Sequence, residues 1–185
     1  MDIQANKILF INLLKGTKRP GIENLIDYLE NKTDFFKAPA STKYHLAVEG
    51  GLVQHSLNVY KRLSKEYGKA DIHSPELVIV ALLHDICKAD YYKTDFRNVK
   101  IEGKWESVPY YTTDDKYPLG HGEKSVIIAQ KFIQLTREEI LAIRWHMGGF
   151  ENKDNYNFLS RAFNESTLAL QLCIADLKAT YIDEK

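Results

Sequence analysis

What this chain lacks narrows its class before any motif is considered. No run of about 18 apolar residues, the length that spans a bilayer, occurs among its 185 residues, so no membrane segment is expected. The opening MDIQANKILF has neither a basic n-region nor a long apolar core, which argues against a secretory signal and for a cytoplasmic protein. Cysteine is scarce: Cys87 and Cys173 both fall in segments expected to be buried helices, where a free thiol packs as a small apolar group. A disulfide is not expected in that compartment. No sign of charge dominates, because 25 basic and 25 acidic residues cancel, and this disfavours a broad electrostatic face for duplex nucleic acid. The densest basic group, KGTKRP over 15–20, reads as a solvated turn. Repeats and low-complexity tracts are missing. With 44% hydrophobic residues, the chain suits one compact domain with a substantial core.

What is present centres on ELVIVALLHDICKAD. From Leu77 to Leu83 this segment is apolar on every side, as an enclosed helix is, and it then sets His84 beside Asp85. Burying an unpaired carboxylate costs several kcal/mol, so Asp85 needs a cation, and the neighbouring imidazole makes a metal ion the natural one. Other residues of metal-binding type follow the same logic. They are His55 in GGLVQHSLNV, His121 in PLGHGEKS, His146 in IRWHMGG and Asp176 in LALQLCIADLKATYI. Asp176 interrupts a helix that is apolar on nearly every face and has no basic residue in the turn before it. Any one of these histidines taken singly is more often a satisfied or surface histidine than a ligand. Five of the six histidines beside glycines or at the ends of apolar runs are harder to dismiss.

The order His55, His84-Asp85, Asp176 resembles the HD superfamily of metal-dependent phosphohydrolases, over about 36–182 of the chain. FFKAPASTKYHLAVEGGLVQHSLNV sharpens the likeness, since it is similar to the start of the HD modules of certain bacterial exoribonucleases and related HD hydrolases. The resemblance implies an all-α HD-domain helical bundle, preceded by a helical extension over 1–35. It also implies that His55, His84, Asp85 and Asp176 hold a first ion. His121 and His146, standing between the HD pair and the last Asp, match the two-metal members, with Asp85 as the bridging ligand. Two ions roughly 3.5–4 Å apart would let one polarise a phosphoryl oxygen while a bridging water, made more acidic, attacks in line. Met147 follows His146 where three-metal relatives carry adjacent histidines, which argues against a third ion.

Substrate contacts are less sharply marked. Lys88 in HDICK, on the same helical face as His84 if the helix continues, is either a phosphate clamp that stabilises developing negative charge or a solvated cation at a helix C-terminus. HDICK also resembles the HD-x-x-K form of the family, which favours function for Lys88. Lys124 and Ser125, opening the helix after His121, are candidates for an anion contact at a helix N-terminus. His45 either lines the pocket mouth or is a hydrogen-bonded loop residue. His73, just before the helix start Ser74-Pro75-Glu76, is expected at the surface and without a role.

Periodicity predicts helices over 6–14, 22–30, 52–67, 75–88, 124–134, 137–145 and 167–181, with a shorter one around 158–163. A capping box at Thr136 and Glu139 starts one of them. Between the HD pair and His121, VKIEGKWESVPYYTT alternates around a Glu-Gly-Lys turn, so a small β-hairpin is expected at about 94–113. Tyr91, Tyr92, Arg97, Lys100, Trp105, Tyr110 and Tyr111 in and before it either stack a nucleobase and hold phosphates or pack the hairpin on the helical body.

The leading expectation is a dinuclear phosphohydrolase in which a metal-activated hydroxide cleaves a phosphomonoester or phosphodiester of a nucleotide or a single-stranded nucleic-acid end. Two other classes use this scaffold: di-iron oxygenases with the same ligand order, and a non-catalytic nucleotide-binding sensor. Imidazole and carboxylate ligands suit Fe, Mn, Co, Ni or Zn alike. Catalytic roles are expected for Asp85 and Lys88, metal roles for His55, His84, Asp85, His121, His146 and Asp176, and substrate contacts for Lys88, His45 and Lys124.

Overall fold

The computed structural model describes residues 1–67 and 74–185; His73 lies outside the described residues. It is a helical bundle carrying one antiparallel hairpin, in the order α1 (Ile3–Gly16), α2 (Ile22–Asn31), α3 (Gly51–Tyr67), α4 (Pro75–Leu83), β1 (Tyr92–Ile101), β2 (Lys104–Thr113), α5 (His121–Gln130), α6 (Arg137–Trp145), α7 (Tyr156–Glu165) and α8 (Thr167–Lys178). The centre is α4, whose residues Leu77 to Leu83 are all buried, and α1, α3, α6 and α8 pack around it. An all-round apolar helix buries itself in this way because no face gains by meeting water. Phe10 of α1 joins Phe35 and Phe36 in an aromatic knot, with ring centroids 5.1 to 5.5 Å apart, which ties the N-terminal helices to that core.

Several ends match the sequence pattern. Ser74 caps α4, its side chain accepting from Leu77 N, and Thr136 with Glu139 forms the capping box of α6. The hairpin turns at Glu102 and Gly103, both at positive φ, which is the twist a two-residue turn needs to join right-twisted strands. Its register pairs Tyr92 with Thr113 and Ile101 with Lys104.

Other ends differ for tertiary reasons. The predicted helix over 75–88 stops at Leu83; Asp85 has φ −109° and ψ 19°, and Ile86–Lys88 tightens into a 3₁₀ turn. The helix before His84 and the turn after it are held by different neighbours, which periodicity does not register. The predicted 124–134 helix instead runs His121–Gln130 and ends where Phe132 turns away to stack on Tyr28 of α2, at 4.9 Å. Past Lys178, the last predicted helix continues only as a π-turn, Ala179–Asp183. The basic run at 15–20 is not wholly solvated either: Arg19 forms a two-pronged pair with the fully buried Glu139, at 2.7 and 3.0 Å, joining the α1–α2 turn to α6.

The hairpin does not pack its aromatic residues on the helical body along its length. Phe96 and Trp105 are 64% and 72% exposed, and the Arg97 guanidinium lies over the Tyr110 ring within the hairpin. Only its base, through Tyr92 and Thr113, reaches the cavity described below.

Candidate metal centre

Five helices and one turn bring the candidate residues together. His55 stands on the second turn of α3, His84 closes α4, Asp85 begins the 3₁₀ turn, His121 opens α5, His146 caps α6 and Asp176 lies on α8. At the centre, His55 Nε2 is 3.2 Å from His84 Nε2 and 3.2 Å from Asp176 Oδ1. Asp85 spreads its two oxygens: Oδ2 faces His84 Nε2 at 3.5 Å and His55 Nε2 at 3.7 Å, while Oδ1 faces His146 Nε2 at 3.4 Å. On the other side, an Asp85 oxygen, Cys87 Sγ and a His121 ring nitrogen lie within 4.8 Å of one another.

Each inner imidazole is oriented from behind. The Nδ1 of His84 meets Ala81 O at 2.9 Å and the Nδ1 of His146 meets Ile143 O at 2.7 Å. A carbonyl can only accept, so Nδ1 carries the proton in both rings and Nε2 is left as a lone pair aimed inward, which is the form a metal takes. His55 is backed by a carboxylate instead, Glu184, whose two oxygens are each 3.0 Å from Nδ1.

The donor set therefore has the chemistry of a site for divalent transition ions, and two orphaned atoms test it. Asp85 Oδ1 and His146 Nε2 are buried and lack a hydrogen-bond partner although they face each other. Buried polar atoms are almost always paired, so both await a group that accepts their lone pairs together. His55 and His84 likewise turn nitrogens toward each other, an arrangement that needs a proton or a cation between them. The residues fit a bound ion.

Lys88 is neither solvated nor above His84. The break at Asp85 sends its side chain back, so that Nζ lies 2.7 Å from Asp85 Oδ2 and 2.9 Å from Ala40 O, with 13% of the side chain exposed. Its reading as a solvated C-terminal cation is thereby corrected. Burial alone would raise the Asp85 carboxyl, but Lys88 and His84 beside it hold it well below the usual carboxylate range. Burial likewise opposes a charged Lys88, yet Asp85 keeps its pKa above the ordinary lysine value. For His55 burial also disfavours the charged form, and Asp176 and Glu184 outweigh it, lifting the pKa to about 10.

The remaining candidates sit around this core. His45 is brought beside His55, ring centroids 5.0 Å apart, by a loop that folds back tightly: a Cβ on Gly51 would sit 2.1 Å from Leu46 O, so only glycine permits the return. Its Nε2 is buried and unpartnered, and burial together with nearby His55 and Lys88 lowers its pKa to about 4, leaving a neutral imidazole. Lys124 turns away from the cavity: Nζ lies 2.6 Å from Asp115 Oδ1 and 5.0 Å above the Tyr91 ring. Ser125 Oγ accepts from Cys87 N at 3.3 Å. A helix-terminal anion cradle at these two residues is not what the side chains form.

Two residues were underrated from sequence. Cys87 lies 3.3 Å from His121 Nδ1, and burial pushes its thiol up to about 12. Glu184 lay beyond the expected core in a charged segment, and the available signal was that Asn58 and Arg62 put polar side chains on the face of α3 that carries His55.

A cavity of about 660 Å³ opens over the cluster, lined among others by His45, Lys88, Tyr92, Met147 and Thr180. Tyr44, Phe150 and Tyr181, all more than half exposed, stand at its wall from three separate segments.

The family model of the HD domain matches residues 52–180, more than half of the chain, and the chain belongs to that family. The HD superfamily consists of metal-dependent phosphohydrolases, and the clustered His and Asp residues fit a metal site. Membership implies metal-dependent hydrolysis in general terms. Searches of curated proteins and of solved structures gave no match. Among the described residues no helix is long and apolar enough to cross a membrane.

Proposed function

We propose that the protein is a dinuclear phosphohydrolase acting on a phosphomonoester or phosphodiester of a nucleotide or of a single-stranded nucleic-acid end. His55, His84, Asp85 and Asp176 would hold the first ion, and Asp85, His121 and His146 the second, each an Fe, Mn, Co, Ni or Zn ion. When bound, the ions supply Lewis acidity to a phosphoryl oxygen and acidify a water for in-line attack. The observation that carries this is Asp85 itself: one oxygen faces His55 and His84, the other faces His146 and has no hydrogen bond. A carboxylate divided in this way suits two cations better than one.

The protein's own side chains do the rest. Lys88 lies at the cavity wall with its ammonium fixed by Ala40 O and Asp85, so it adds positive charge where a phosphoryl group meets the centre. Neutral His45 has a free ring nitrogen for a substrate oxygen. Lys124 acts behind the site, pinning the segment before α5 through Asp115. The exposed aromatic rings of Tyr44, Phe150 and Tyr181 favour a substrate with a flat, stackable part such as a nucleobase. The cavity volume of about 660 Å³ suits a mononucleotide or the last residue of a strand.

The test is a screen of Mn- and Fe-loaded protein against nucleotides, cyclic nucleotides, phosphodiester reporters and short oligonucleotides, repeated without oxygen in heavy-oxygen water. Hydrolysis predicts anaerobic turnover with the label in the released phosphate. Turnover that stops without oxygen and resumes only with iron would assign the site to the oxygenases instead, and tight nucleotide binding with no turnover would leave a sensor.

A further inference from the structure

The C-terminal turn is tied to α3 along one stripe. His55, Asn58 and Arg62 are spaced by three and four residues, so they stand on one face of that helix. All three are engaged by two consecutive residues after α8. Arg62 donates to both oxygens of Asp183, at 2.7 and 2.5 Å, and Asn58 Nδ2 donates to Glu184 Oε1 at 2.9 Å. His55 Nδ1 lies 3.0 Å from both Glu184 oxygens, and the Glu184 side chain is only 1% exposed. A carboxylate buried to that degree on a histidine costs desolvation that a surface ion pair does not, and the π-turn Ala179–Asp183 is the backbone device that delivers it.

We infer that Glu184 is a positioning residue of the metal centre, fixing the proton of His55 on Nδ1 and presenting Nε2 as a strongly donating lone pair. This rests on the assignment of His55 as a ligand of the first ion. A carboxylate behind a ligating imidazole holds its tautomer and ring orientation and raises its basicity more than a carbonyl does. Among the described residues, His84 and His146 have carbonyls in that place, so the centre is electronically uneven, and the first ion receives the stronger imidazole. Glu184 lies outside residues 52–180, the part of the chain that matches the HD family model, so the family pattern alone does not contain it.

The test uses the full chain with Glu184→Ala, Glu184→Gln and Glu184→Asp. Chelator competition with zinc gives the affinity of each ion, and nitrogen-15 histidine spectra of the zinc-loaded protein report the His55 Nδ1 proton. Glu184→Ala is expected to weaken the first ion about 10- to 100-fold, leave the second nearly unchanged and shift or abolish that proton signal. Glu184→Gln, which keeps the shape, carries the fold control: it should melt close to the parent when metal-free yet still weaken the first ion, with Glu184→Asp between it and the parent. If all three variants bind the first ion as the parent does with the His55 signal unmoved, or if affinity falls only in proportion to a lower metal-free melting temperature, Glu184 is a structural latch and the inference is wrong. A parent that binds no ion would refute the metal centre itself, a different failure read from a different sample.

Discussion

Replacing Gly122 by alanine perturbs the second half-site without touching a candidate ligand. Gly122 follows His121 on the first turn of α5, where the helix crosses the end of α6. A Cβ there would stand 2.1 Å from Arg144 O, 2.7 Å from its carbonyl carbon and 2.8 Å from its Cα. All three are backbone atoms, so no side chain can swing aside. Restoring ordinary contact requires α5 and the end of α6 to separate by about 1.3 Å. His121 and His146, which the two helices carry, move apart with them. Overpacking of this kind costs about 1–3 kcal/mol of stability. A ligand shell displaced by about 1 Å loses on the order of 100-fold in the function it supports. The expected result is a folded Gly122→Ala protein whose first ion is retained and whose second is weakened, with turnover on any phosphoester substrate falling by about that factor. Elemental analysis after dialysis, a melting curve and a steady-state assay measure the three quantities. Equal occupancy of both sites with parental turnover would refute the claim that the α5–α6 approach builds the second half-site.

Asp85→Ala should remove nearly all activity and lower metal content at both sites, whereas His121→Ala should spare the first ion; elemental analysis giving the reverse would overturn the division of ligands. Lys88→Ala should lower turnover about 10²–10³-fold with metal content intact. It should also destabilise the metal-free protein by about 3 kcal/mol, because buried Asp85 loses its ammonium partner, and added metal should recover most of this; a deficit that is the same with and without metal would count against the exchange of partners. For Glu151, burial alone would raise the carboxyl, but bonds from Arg144, Asn155 and the Asn152 backbone hold it below the ordinary value of 4.5. A depressed folded pKa means stability that is present above 4.5 and lost as the pH falls through the folded value, so Glu151→Gln should destabilise the protein near pH 7 and lose that effect at strongly acidic pH. Chemical denaturation at the two pH values checks it.

Much of this protein could be read along the chain, where the relevant physics is local. The apolar run from Leu77 to Leu83 required a buried helix, the alternation after Val99 required strands, and Thr136 with Glu139 required a helix start, because periodicity and capping are properties of neighbouring residues. His84, Asp85 and Asp176 stood out as candidates for a related reason, since a charge or imidazole inside an apolar segment announces a partner even when the partner is unknown, whereas His121 and His146 were singled out by the resemblance to two-metal HD proteins. What the chain could not disclose is which groups meet. The break at Asp85, the return of Lys88 to Ala40, the Cys87–His121 contact and the turning of Lys124 toward Asp115 all join residues through space, and each replaces a helical expectation with a tertiary one. Glu184 is the clearest case, lying 129 residues from His55 and past the expected core over 36–182. Its place behind the imidazole was decided by the packing of α8 on α3, since hydrogen bonds form between neighbours in space and sequence spacing reports only neighbours in the chain.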